Sequence, residues 1–138
     1  MKRRDLPVDD HRFAVVDGFM ADLLKVISTN PQQASAWEYA LGMLMLEKNM
    51  AGIKQLVELP SFSPEVWNGS LPPLVQEAIV TYAENDADYC SEHGVTPETM
   101  QRFQTFRDLA LDARRKYRNQ QTALAQFRGS FWYYYMFI

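Results

Sequence analysis

The chain has 138 residues, of which 47% are hydrophobic and 22% charged, with a formal net charge of −3. That composition excludes a disordered chain and fits one domain, residues 1–138, with a single continuous core. The acidic balance argues against a nucleic-acid binder, and a lone cysteine, Cys90, excludes an internal disulfide.

No segment reads as a leader or a span. Met1-Lys2-Arg3-Arg4 is followed at once by Pro7, Asp9 and Asp10 rather than by an apolar stretch, so a secretory signal is not expected. The longest internal apolar block, Leu41 to Leu46, is too short to cross a bilayer, and the chain as given is expected to be soluble.

Helical periodicity organises the chain. Phe13, Val16, Met20, Leu23, Leu24 and Ile27 predict a first helix over about Asp9–Ser28, ended by Asn30-Pro31. A second, over about Gln32–Lys48, carries Trp37, Tyr39, Leu41, Met43, Leu44, Met45 and Leu46 around most of its circumference, which marks it as the expected centre of the domain. Asn49 is a cap for a short third helix, Met50–Leu59, that Pro60 stops. The segment from Ser61 to Pro73 reads as a surface connection whose Trp67 packs down onto the core.

Pro72-Pro73 opens a fourth helix over about Leu74–Asn85, with helical structure extending toward Glu92 and Gly94 terminating it. Thr96-Pro97-Glu98 combines a hydroxyl cap, a first-turn proline and a first-turn acid, and predicts a helix to about Tyr117. Its apolar stripe is Phe103, Phe106, Ala110, Ala113 and Tyr117. The last eight residues, Phe131 to Ile138, contain no charge, glycine or proline. Exposed, they would be an aggregation hazard. They are expected to be buried in the domain, in a protein or peptide partner, in a second copy of the chain, or against a longer natural chain.

The pattern of helix pairs resembles tetratricopeptide-type repeats: Trp37, Leu41-Gly42 and Met45 resemble the first-helix signature, and Pro60 the repeat-ending proline. The chain also resembles an uncharacterised family of Bacteroidetes membrane proteins, in which a multi-span region precedes a helical, TPR-like segment. The residues that carry this resemblance are Asn30-Pro31, Ala36-Trp37-Glu38-Tyr39-Ala40, Leu44 to Met50, Leu71 to Ala78, Arg102 to Phe106 and Gly129 to Tyr135. It implies association with a membrane protein or the cell envelope, and it supplies no catalytic residues. The expected fold is therefore all-α: stacked antiparallel helical hairpins, a TPR-like α-solenoid fragment.

Charge is segregated along the chain. Between Gln55 and Gln101 there is no Lys or Arg but there are eight acids, among them Glu58, Glu77, Glu84 and Glu92; beyond, Arg102, Arg107, Arg114, Arg115, Lys116, Arg118 and Arg128 face only Asp108 and Asp112. Pairing between the two halves is the favoured reading, and a partner surface the alternative. Asp86 to His93 gathers carboxylates, a thiol and an imidazole, yet at no standard metal spacing, and His11 and His93 sit in no catalytic motif. No catalytic residue, metal or cofactor is expected. The function expected is a non-catalytic scaffold for a protein or peptide, contacting its partner through Trp132, Tyr133, Tyr134, Tyr135, Phe137, Arg114, Arg115 and Arg118, with a groove lined by the first and third helices. The alternative is an envelope-associated module that binds saccharide through Trp37, Trp67 or Trp132.

Overall fold

The computed structural model describes residues 8–138, with side chains from Gly18 onward. The expectations for Met1–Arg4, His11, Phe13 and Val16 lie outside the described residues or side chains. Eight α-helices follow in order: α1 (Val8–Thr29), α2 (Ala34–Leu46), α3 (Met50–Val57), α4 (Pro73–Tyr82), α5 (Ala87–Glu92), α6 (Pro97–Arg115), α7 (Gln120–Ala123) and α8 (Phe131–Phe137). Single 3₁₀ turns occupy Pro64–Trp67 and Ala125–Phe127, and no strand occurs among the described residues.

The breaks follow local chemistry. Pro31 separates α1 from α2, and its carbonyl accepts the Trp37 indole N–H at 3.0 Å, which lets that ring be wholly buried. Asn49 caps α3 by accepting the Gly52 amide at 2.9 Å. Glu84 and Asn85 both adopt left-handed backbone, φ 52° and 60°, so α4 ends at Tyr82 and α5 is a separate short helix rather than its continuation. Gly94, φ 92°, joins α5 to α6 where a Cβ would lie 2.9 Å from Pro64 Cγ. Thr96 then caps α6 through the Thr99 amide, as its sequence predicts.

One hydrophobic cluster runs from Leu23 and Ile27 in α1 to Phe131 and Trp132 in α8. Its hub is α4, not α2 as the sequence pattern implies. All six residues from Val75 to Val80 are buried, and α4 packs on α3, α6 and α8. α2 buries one face, Ala36, Trp37, Ala40, Leu41, Leu44 and Met45, while Tyr39 and Leu46 on the other face are exposed. The apolar residues of α2 that appeared to demand cover on all sides are thus satisfied on one side only.

Burial of α4 all round carries two polar side chains into the interior. Gln76 spends its amide on the ends of neighbouring segments: Nε2 donates to the Leu71 carbonyl at 2.9 Å, while Oε1 accepts the Thr96 amide at 3.0 Å and the Thr99 hydroxyl at 2.9 Å. The start of α6 is thereby fixed to α4. Glu77 does the same for α8, where its Oε1 accepts the Phe131 amide at 2.8 Å and its backbone carbonyl accepts the Trp132 indole N–H at 3.0 Å. The aromatic terminus is a capped helix with Ser130 as its cap, and Trp132 packs among Phe103, Phe106 and Phe127. Of the expected sites of burial, the domain's own core takes Phe131 and Trp132.

A buried amide without partners costs about 1–3 kcal/mol. Replacing Gln76 by Leu, similar in volume, strands the Thr96 amide and the Thr99 hydroxyl. Gln76→Leu should therefore lower stability by about 2 kcal/mol and the thermal midpoint by roughly 8 °C; calorimetry of the two proteins measures it.

Candidate functional site

α8 leans across the open side of α2, and between them lies an apolar groove of about 560 Å³. Its α2 wall is Tyr39, Gly42, Met43 and Leu46; Leu74 of α4 closes one side; Phe131, Tyr134 and Ile138 form the α8 wall. Tyr39, Leu46, Leu74 and Ile138 are 54%, 61%, 49% and 73% exposed, an apolar concentration that folding leaves in water. The walls are held together by the Tyr134 hydroxyl, which donates to the Leu46 carbonyl at 2.8 Å, and by the Lys48 ammonium over the Tyr134 ring. Charge appears only at Glu38 and Arg128, and the Glu38 carboxylate already accepts the Trp67 indole N–H at 2.9 Å.

Gly42 sits mid-helix on the groove wall. A Cβ there would meet no heavy atom within 4 Å. A helix-interior glycine costs roughly 0.5–1 kcal/mol relative to alanine, and no described residue uses the space of the missing methyl.

The residues singled out from sequence divide. Trp132 belongs to the core and is unavailable to a partner: its ring is 2% exposed. Tyr134 lines the groove, Tyr133 and Phe137 are half-buried against each other with ring centroids 4.8 Å apart, and Tyr135 is exposed on α8. Arg114 and Arg115 lie exposed in the last turn of α6 with Arg118 just beyond, remote from this groove. Tyr117 leaves the apolar stripe altogether; it follows the helix end in left-handed backbone and is 98% exposed. Trp67 does pack downward, edge-on to Phe62. With Trp37 and Trp132 interior, two of the three rings named for saccharide stacking face no solvent. The groove walls are α2, α4 and α8 rather than the first and third helices. What marked it in the sequence was the surplus of apolar residues on α2.

Burial and the nearby Asp86 push the Cys90 thiol up to about 11, which keeps it protonated at neutral pH. Tyr82, Tyr89 and Glu58 form a hydroxyl chain, 2.8 Å and 2.9 Å, and burial pushes Tyr89 up to about 12. Both phenols stay protonated at neutral pH. No group of three or more His, Cys, Asp or Glu is placed to hold a metal among the described residues, and no described helix is long and apolar enough to cross a membrane. Glu77 is the exception in electrostatic terms: burial raises its pKa, against the Phe131 amide and the Arg102 guanidinium, which lower it. Arg102 lies 3.4 Å from the carboxylate and over the Trp132 ring, the one ion pair that joins the acidic and basic halves among the described residues.

Residues 1–138 match a family of unknown function, DUF6057. The chain belongs to that family. No curated protein and no solved structure matches it. Within this DUF6057 member, function must therefore be read from its own surfaces.

Because the folded chain holds a proton on Glu77 more tightly than the unfolded chain does, this group's contribution to stability is full below the ordinary carboxylate pKa and is lost as pH rises through its raised value. Glu77→Gln cannot titrate. Between pH 7 and 4.5 the wild type should gain stability relative to Glu77→Gln, since all other carboxylates cancel in the difference. Urea unfolding of both proteins at several pH values reads this directly, and a relative loss on acidification would contradict it.

Proposed function

We propose that this protein is a non-catalytic helical scaffold whose groove between α2 and α8 takes an amphipathic helix of a protein partner. The observation that carries the reading is Gly42. It imposes a stability cost that no contact among the described residues recovers, and it sits where a bare backbone allows a second helix to approach closely. Stability given up at a surface that the fold does not need is the pattern of a functional position. The exposed walls supply affinity: each Leu-sized side chain of a partner buried against Leu46, Leu74 and Ile138 contributes about 1.5–3 kcal/mol before ordering costs. Helix-in-groove recognition lays the apolar face of an amphipathic helix into an apolar groove, and the lining of this groove has that character.

The repeat-like description is part of the same proposal. α1 packs on α2, α2 on α3 and α3 on α4, which supports the reading of consecutive TPR-like hairpins in the first part of the chain. The second part departs from it, since α4 also carries α6 and α8.

Gly42→Ala should raise stability by about 0.5–1 kcal/mol, because helix propensity rises and nothing is displaced. Gly42→Trp should also fold, but fill the groove. A photo-crosslinking residue placed at Leu46 in cells of the source organism should capture a discrete protein, and the adduct should vanish in Gly42→Trp while one placed at Gln101 captures none. Equal capture from both positions, or an adduct indifferent to Gly42→Trp, would overturn the reading.

A further inference from the structure

A second groove lies on the opposite side of α8. It holds about 390 Å³ between α6 and the end of α8, floored by Phe103, Phe106 and Ala110 and edged by the exposed Leu111 and Met136. Two guanidinium groups stand over it, Arg107 and Arg114. They are seven residues apart on α6, hence nearly on one line of the helix surface and about 10 Å apart along its axis. The two acids nearest them on α6 are already engaged: Asp108 accepts Gln104 Nε2 at 2.9 Å and Asp112 pairs with Lys116 at 3.3 Å, while Glu98 lies in the first turn, nine residues before Arg107. Neither Arg107 nor Arg114 has an ion-pair partner among the described residues. Arg107 instead lies over the Phe103 ring, 5.6 Å from its centroid. The one acid on the groove wall is Glu84.

We propose that this groove is a docking site for an acidic amphipathic helix of another protein, with carboxylates seven residues apart and apolar side chains midway between them. Two cations on one line, two turns apart, match two carboxylates in that register. The apolar floor between them matches the intervening side chains at the third and fourth positions after the first acid. Phosphate or a lipid headgroup would use the arginines without using Phe106, Ala110 or Met136, so charge and shape together favour the peptide. The site is independent of the α2–α8 groove, whose walls are almost free of charge.

The test uses a labelled, helix-stapled peptide with Glu at positions 1 and 8 and Leu at 4 and 5, its twin with Lys in place of both Glu, and phosphatidylserine vesicles. The acidic peptide should bind the full chain saturably, weaken at least tenfold in the Arg107→Glu, Arg114→Glu double variant and in Met136→Glu, and weaken with added salt. The Lys peptide should prefer the double variant over the wild type. Both arginines and Met136 are exposed, so circular dichroism of the variants should be unchanged. Gly42→Trp should bind the acidic peptide as the wild type does, which separates this site from the other groove. Absence of peptide binding, binding indifferent to the charge reversal, or vesicle binding that depends on the arginines without peptide binding would each overturn the proposal.

Discussion

Two consecutive polar residues inside an apolar helix govern the second half of this molecule. From Val75 to Val80 α4 is buried on every side, and there it presents Gln76 and Glu77, which have nowhere to find water. Buried polar groups must be partnered or they cost free energy. Here the partners are the amides that begin α6 and α8, the Thr96 and Phe131 N–H groups that no intrahelical bond satisfies. One deficit cancels the other. The two helices are therefore set in position by their starts, and aromatic packing of Trp132 on Phe103, Phe106 and Phe127 completes the join.

Both grooves depend on this arrangement. α8 is a seven-residue helix, too short to be stable alone, and its order derives from Glu77 and the buried face of Phe131 and Trp132. Once docked, it forms a wall on each side: Tyr134 and Ile138 toward α2, Met136 toward α6. An apolar trough and a basic-rimmed trough thus share one partition. On the two proposals made above, these faces would hold two helices of different chemistry, one apolar and one acidic, on a single small framework.

Much of the helical layout was legible in the sequence, because its signals are local. Asn49 and Thr96-Pro97 act through neighbours within four residues, and the structure uses both as their types dictate, whereas Pro31 lies in the turn before α2 rather than in its first turn. The fourth helix was expected to end near Asn85, but the left-handed pair Glu84-Asn85 that divides it from α5 was not legible, since neither residue is a glycine. The helical turns between Asn119 and Phe127 left no apolar period to detect. The central role of α4 was hidden for a different reason: a glutamate and a glutamine read as surface residues until the partners that justify their burial, at Thr96 and Phe131, are placed in space. The aromatic terminus was recognisable as a segment that must be covered, but which rings meet the core depends on Glu77, over fifty residues earlier. The α2 groove was half legible, as an apolar surplus without its opposing wall.

Native-state hydrogen exchange at the Phe131 amide tests the central claim most directly. If Glu77 fixes α8 to the buried core, that amide and the Trp132 indole N–H should exchange only through the global opening that releases the amides of α4. Their opening free energies should then equal those at Ile79 and Val80. Exchange of Phe131 at the rate of a frayed terminus, while α4 stays protected, would show that α8 docks without the Glu77 anchor and would contradict the account.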